Sequence, residues 1–112
     1  MTTIEVRREE DGELLGHLRP ADAGWEPLTV FHAALAEPSG REDAEDVVRR
    51  DGLSCLGDLW WVEVEPGRWT EARIQEAYPD RVRVRWADPL LEQPAHGQWI
   101  DPRAVPVRRR HP

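Results

Sequence analysis

Arginine is the residue type whose spacing first suggests chemistry. Arg81, Arg83 and Arg85 alternate with Val82 and Val84, and Arg73 precedes them. Alternate residues of a strand share a face, so these guanidiniums form a stripe able to hold phosphates, as in nucleic-acid-binding sheets. The run Arg108, Arg109, Arg110 adds charge beyond it. The stripe also has a purely structural use. Glu63, Glu65 and Glu71 fall on the same strand parity and can neutralise it across strands. Trp61 and Trp69 fall on that polar face too, near one turn. Exposed aromatic side chains in such a place mark a protein or peptide contact.

Other reactive groups do not assemble. His17, His32, His96 and His111 lack metal-ligand spacing, although His17 and His32 can meet across adjacent strands. Cys55 stands among Leu53 and Leu56, where a thiol is a small buried hydrophobe rather than a nucleophile. The carboxylates between residues 42 and 46 lie on the solvent face of a helix. With no phosphate loop, the expectation is a chain that is not an enzyme, with no cofactor and no metal.

Composition weakens the arginine argument. All fifteen basic residues are Arg, and the chain has neither Lys nor Asn. Lys and Asn codons are AT-rich and most Arg codons GC-rich, so a high-GC bacterial genome explains the bias. Net charge is −7. It is uneven: residues 1–58 hold fourteen acids and six Arg, and residues 59–112 hold eight acids and nine Arg. An acidic first half repels nucleic acid and serves as a solubility surface. No apolar run approaches the roughly 20 residues that span a bilayer. The first residues lack the apolar stretch of a signal peptide, so the expected location is cytoplasmic, away from membranes. One cysteine excludes an internal disulfide framework.

The elements that would position these residues follow from periodicity. Ile4 and Val6 alternate with Glu5 and Arg7, a strand. Asp11-Gly12 is a turn, Leu14–Leu18 the return strand, and Trp25–His32 a third strand, with Asp22–Gly24 a loop between them. Ser39 with Glu42 forms a capping box. It opens a helix of about three turns, with Ala44, Val47 and Val48 inward and Gly52 at its end. Leu53, Leu56 and Leu59 carry a short turn into the second half. There Trp60, Val62 and Val64 share one face. A three-residue loop, Pro66-Gly67-Arg68, would pair Val64 with Thr70, Val62 with Ala72 and Trp60 with Ile74, because a one-residue slip inverts every side chain. Val82, Val84 and Trp86 complete the apolar face. The expected core is Ile4, Val6, Leu15, Val30, Ala44, Val47, Val48, Leu56, Trp60, Val62, Val64, Ala72, Ile74, Val82, Val84 and Trp86.

The order Trp69-x-x-Ala72-x-Ile74, then Val82-x-Val84-x-Trp86-x-Asp88, then Trp99-Ile100 and a final Val105, resembles SH3-like small barrels of the Tudor and chromo-barrel type. The resemblance covers residues 59–107. It departs from the pattern in the long loop Pro89–Gly97, and the first 58 residues have no counterpart. It implies fold more than function. Tudor-type barrels hold cationic groups, often methylated Lys or Arg, between aromatic rings beside an acid, by attraction of a cation to ring faces. Trp61, Trp69, Tyr78, Trp99 and Asp88 are the positions the resemblance offers for such a cage.

The expected architecture is therefore α+β. An N-terminal antiparallel β-β-β-α lobe over residues 1–58 packs on an SH3-like antiparallel barrel over 59–107, with a basic tail at 108–112, as one compact domain. The expected role is a non-catalytic binding or accessory module for a protein or peptide, with a contact surface centred on Trp61, Trp69 and the Pro89–Trp99 loop. The alternatives are a nucleic-acid-associated module using Arg73, Arg81, Arg83 and Arg85, and a small enzyme without a recognisable motif.

Overall fold

Alternating polarity at both ends of the chain becomes two antiparallel sheets, and the one strongly helical segment becomes the one helix. The structure, a computed structural model, describes residues 2–22 and 24–109. Arg110 of the basic run and His111 lie outside the described residues. The fold is α+β, with a three-stranded and a five-stranded antiparallel sheet. The chain divides into two compact units, Met1–Cys55 and Leu56–Pro112. The division falls inside the 3₁₀ turn Ser54–Gly57, which is the short turn expected there.

In the first unit, β1 (Ile4–Arg7), β2 (Leu14–Ala21) and β3 (Gly24–Leu28) lie in sequential order. The β1–β2 turn is closed by Arg8 N donating to Glu13 O at 2.8 Å and Gly12 N donating to Arg8 O at 2.8 Å. Gly12 takes the left-handed conformation, φ 74°, which costs glycine little. β3 stops at Leu28, short of the His32 expected. Thr29 turns the chain instead: its N–H donates to Ala33 O and its Oγ1 accepts from Ala33 N at 3.0 Å. His32 follows at φ 68°. The turn is buried, with Thr29, Val30 and Phe31 all inside. Its polar groups bond to each other, as burial demands.

The helix α1 spans Arg41–Asp51 and buries Ala44 and Val48. The expected capping box does not form. Ser39 is committed elsewhere, because its N–H and C=O pair with Trp25 O and N at 2.9 and 2.7 Å. The N-cap is Gly40, without a side-chain cap. Gly52 does follow the helix, but at φ −55°, not left-handed. Its reason is proximity: a Cβ there would lie 2.1 Å from Leu15 O. Gly16 does the same on β2, where a Cβ would meet Leu28 O at 2.2 Å and Val48 Cγ1 at 2.8 Å. Two glycines thus let helix and sheet backbones approach.

In the second unit, β4 (Leu59–Glu65), β5 (Arg68–Tyr78), β6 (Arg81–Trp86) and β7 (Gln98–Ile100) form a meander. β8 (Val107–Arg108) returns to β4, giving the order β7-β6-β5-β4-β8. The sheet is open, not a closed barrel. Arg108, expected in the basic tail, is a strand residue. The β4–β5 register differs from expectation. Trp60 faces Ala72, Val62 faces Thr70 and Glu63 faces Trp69, with a bulge at Val64 and a two-residue Pro66-Gly67 turn. The bulge restores the parity that a two-residue turn alone would have inverted. Trp60, Val62, Ala72, Val82 and Val84 are therefore all fully buried, joined by Ile100 and Val107. Val64, Ile74 and Trp86, expected in the core, are only half-buried, as are Ile4, Val47 and Leu56 of the expected list. Leu18, Leu28, Phe31, Leu35 and Cys55 are buried beyond it.

Candidate contact surface

The face of the five-stranded sheet opposite Trp60 and Val62 collects the polar and aromatic side chains. Leu59, Trp61 and Glu63 of β4 lie beside Arg73, Glu71 and Trp69 of β5. A second bulge, at Gln75, shifts the parity of β5. Beyond it Glu76 faces Arg83 and Tyr78 faces Arg81, while Arg73 faces Arg85. Trp99 of β7 faces Arg83 from the other side. One surface therefore carries Arg73, Arg81, Arg83 and Arg85 with Tyr78 and Trp99.

The Tyr78–Trp99 corner is built around a guanidinium. Arg81 lies over the Tyr78 ring at 5.1 Å and over the Trp99 ring at 4.6 Å, and Arg83 lies 5.7 Å from the Trp99 ring. The two rings are stacked at 6.3 Å. Both aromatic residues are 42% exposed. Arg83 is anchored: Nη2 meets Glu76 Oε1 at 2.5 Å and Nη1 donates to His96 O at 2.8 Å. Tyr78 Oη donates to Glu76 Oε2 at 3.3 Å. Arg81 has no such anchor. Among the described residues no carboxylate lies within ion-pair distance of Arg73, Arg81 or Arg85.

The ladder expected from Glu63, Glu65 and Glu71 is not what neutralises the stripe. Glu65 reaches Arg68 at 3.9 Å, and Glu63 accepts from Gly67 N. The bulge at Gln75 brings Glu76 to Arg83 instead. Arg73 and Arg85 remain directly opposite each other, an arrangement of like charges that costs stability.

The five positions offered for a cation cage divide between two ends of β5. Trp61 and Trp69 lie near the β4–β5 turn, both half-buried. Arg108, which pairs with Trp61 across β4 and β8, lies over the Trp69 ring at 5.1 Å. Asp88 belongs to that end, since Ala87 N donates to Glu71 O. Its carboxylate accepts from Leu90 N at 2.9 Å, which makes it a turn residue. Tyr78 and Trp99 occupy the opposite end. Trp69 and Tyr78 are separated along β5 by up to about 30 Å at the usual rise of a strand. At both ends a ring face is already covered by an arginine of this chain.

The Pro89–Gly97 loop is held at two points. The Gln93 side chain accepts from Trp86 N at 3.1 Å and donates to Trp86 O at 2.8 Å, replacing a strand neighbour that β7 is too short to supply. His96 O receives Arg83. Gly97, at φ 81°, fits where a Cβ would sit 2.3 Å from Gln75 Oε1. Leu90 is 91% exposed at the loop tip.

The remaining reactive residues fall elsewhere. His17 and His32 do meet, their rings stacked at 4.0 Å, and His17 Nδ1 donates to Thr29 O at 3.1 Å. No group of three or more potential ligands able to hold a metal occurs among the described residues. Cys55 is buried, its Sγ 3.7 Å from Gly52 O. On the helix, Glu45 pairs with Arg49 and Asp51 with Arg50, each raising its partner's pKa. No helix among the described residues is long and apolar enough to cross a membrane.

The cluster of Arg81 with Tyr78 and Trp99 was missed by sequence reasoning. Part of its signal was present: Tyr78 and Arg81 flank Pro79-Asp80, so a two-residue turn makes them neighbours across strands. The placement of Trp99 carried no such signal. Compared with known proteins, the chain matches no family model, no curated protein and no solved structure.

Proposed function

We propose that the chain is a non-catalytic binding module, cytoplasmic and from a high-GC bacterium, whose contact surface is the Arg- and aromatic-bearing face of the β4–β8 sheet. One observation carries this reading: Arg81 lies over two exposed rings, with no carboxylate among the described residues within ion-pair distance. Large aromatic and arginine side chains dominate the energetics of protein contacts. The SH3-like reading of the second unit is supported by the strand order, in which a short last strand returns to the first strand of a meander. The corner at Tyr78 and Trp99 is a better centre for the surface than Trp61 and Trp69, which are half-buried.

Photo-crosslinking in cells tests it. A benzophenone side chain at Trp99 or Arg81 should give discrete crosslinks to a partner, and one at Asp46 on the helix should not. Equal labelling from all three positions, or none from the sheet, counts against the reading.

Arg73 and Arg85, opposite each other with no acid among the described residues in ion-pair reach, favour a second reading in which the same face holds nucleic acid. That reading expects retention on heparin at low salt that falls steeply as salt rises.

A further inference from the structure

We infer that the corner formed by Tyr78, Arg81, Arg85 and Trp99 binds an extended acidic peptide segment, with carboxylates four residues apart placed along β6. This rests on the reading of the sheet face as a contact surface and names its ligand.

The argument begins with which donors remain. A guanidinium presents N–H groups around its edge in a fork that matches a carboxylate, while its flat face stacks on aromatic rings. Arg81 uses its face on Tyr78 and Trp99, and its edge meets no acid among the described residues. The rings limit the rotamers of Arg81, so less freedom is lost when a carboxylate binds. Arg85 lies four residues along the same strand, opposite Arg73, and both are exposed. A second carboxylate between them would relieve their mutual repulsion. Arg83, between them in the row, is held by Glu76 and His96 O and does not compete.

Spacing follows from strand geometry. Alternate side chains of β6 stand about 6.6 Å apart, and alternate side chains of an extended peptide have the same repeat. Arg81 and Arg85 are two such repeats apart, about 13 Å, so a segment with acids four residues apart keeps step with them.

The same observations disfavour the polyanion alternative. Non-specific nucleic-acid affinity grows with the number of phosphates neutralised, by a slope of about 0.9 per contact in log salt. Arg73, Arg81 and Arg85, on a chain of net charge −7, supply few contacts. The ring faces that bases would stack on are partly covered by Arg81 and Arg83. A methylated cation meets the same covered faces and would face Arg81 itself.

Fluorescence anisotropy on the intact chain provides the test. The probes are a fluorescein-labelled peptide with Glu at every fourth position and Ser between, its Gln-for-Glu counterpart, and a labelled oligothymidylate. Wild type should bind the Glu peptide and not the Gln peptide. Arg81→Gln should weaken binding about five-fold, the loss of one charge-assisted contact, with Arg85→Gln weakening it further. Arg49→Gln, on the helix, should leave it unchanged. Far-UV circular dichroism checks that each variant is folded. The inference is overturned by absent Glu-peptide binding, by equal binding of the Gln peptide, by insensitivity to Arg81→Gln and Arg85→Gln together, or by oligothymidylate binding more tightly than the Glu peptide. Crosslinks at Trp99 without Glu-peptide binding would sink this inference alone and leave the contact surface standing. The absence of both would remove both.

Discussion

The two units treat arginine differently. In the first, each described arginine except Arg41 has a carboxylate partner: Arg7 with Glu5, Arg8 with Asp11, Arg19 with Glu26, Arg49 with Glu45 and Arg50 with Asp51. Arg41 lies over the Trp25 ring at 5.3 Å. In the second, Arg73, Arg81, Arg85 and Arg108 have no carboxylate among the described residues within ion-pair distance, and Arg81 and Arg108 stack on rings instead. Scarcity of acids does not explain this, since residues 56–112 hold as many acids as arginines. Placement does. Acids such as Asp88 serve turns, and the bulge at Gln75 gives Glu76 to Arg83 alone. Equal numbers of opposite charges therefore say little about a surface until the register is known.

Variants can break or sharpen this contrast. The largest effect belongs to Trp60, fully buried under the second sheet. Trp60→Ala should lose about 3–5 kcal/mol in urea unfolding. Trp99→Ala on the opposite face should cost far less. If the two cost the same, the division of this sheet into a core side and a contact side is wrong. Next is Gly52→Ala, where the added Cβ strikes Leu15 O. It should destabilise by about 1–3 kcal/mol through overpacking, while Gly57→Ala, with open space around it, should be nearly silent. Arg85→Glu converts the Arg73–Arg85 opposition into an attractive pair. It should stabilise by about 0.5 kcal/mol, whereas Arg19→Glu, facing Glu26 in the first unit, should destabilise. A loss of stability in Arg85→Glu would mean that Arg85 already has a compensating partner.

The smallest effect is a pH effect. Arg103, through its side chain and its backbone N–H, holds the Asp101 carboxyl below the usual carboxylate range. A depressed carboxylate contributes stability above its unfolded pKa, about 3.9, and loses it as the pH falls through the lowered folded value. The stability difference between wild type and Asp101→Asn should therefore be present at neutral pH and vanish in acid. A difference that persists below that range would assign Asp101 a role in turn geometry rather than charge.

Much of the fold was legible. Strands β1 to β6, the helix, the short turn near Leu56 and the inward set Trp60, Val62, Ala72, Val82 and Val84 follow from periodicity, whereas β8 falls partly in what reads as a basic tail. What failed did so for local reasons. Ser39 next to Glu42 has the composition of a capping box, but a bridge to Trp25 claims its backbone. Gly52 sits where a left-handed C-cap is usual, yet its role is close approach to Leu15. Bulges at Val64 and Gln75 leave no mark in composition, so the pairing of β4 with β5 and of Glu76 with Arg83 could not be read in advance. The candidate site was legible in its residue types and not in its grouping. Tyr78, Trp99 and the Arg stripe meet, while Trp61, Trp69 and Asp88 belong to the other end of β5.

The bulge at Gln75 has an evolutionary consequence. Everything C-terminal to it on β5 takes its side from that one unpaired residue. Were Gln75 to pair like its neighbours, Glu76 and Tyr78 would turn inward and Ala77 outward. Losing its codon would do the opposite: the strand would become regular, and Glu76, Ala77 and Tyr78 would keep their partners and their sides. Gln75 is thus a place where a lineage carrying this fold can shorten the strand by one residue and keep the chemistry of its exposed surface, whereas a deletion elsewhere in a strand inverts every side chain beyond it.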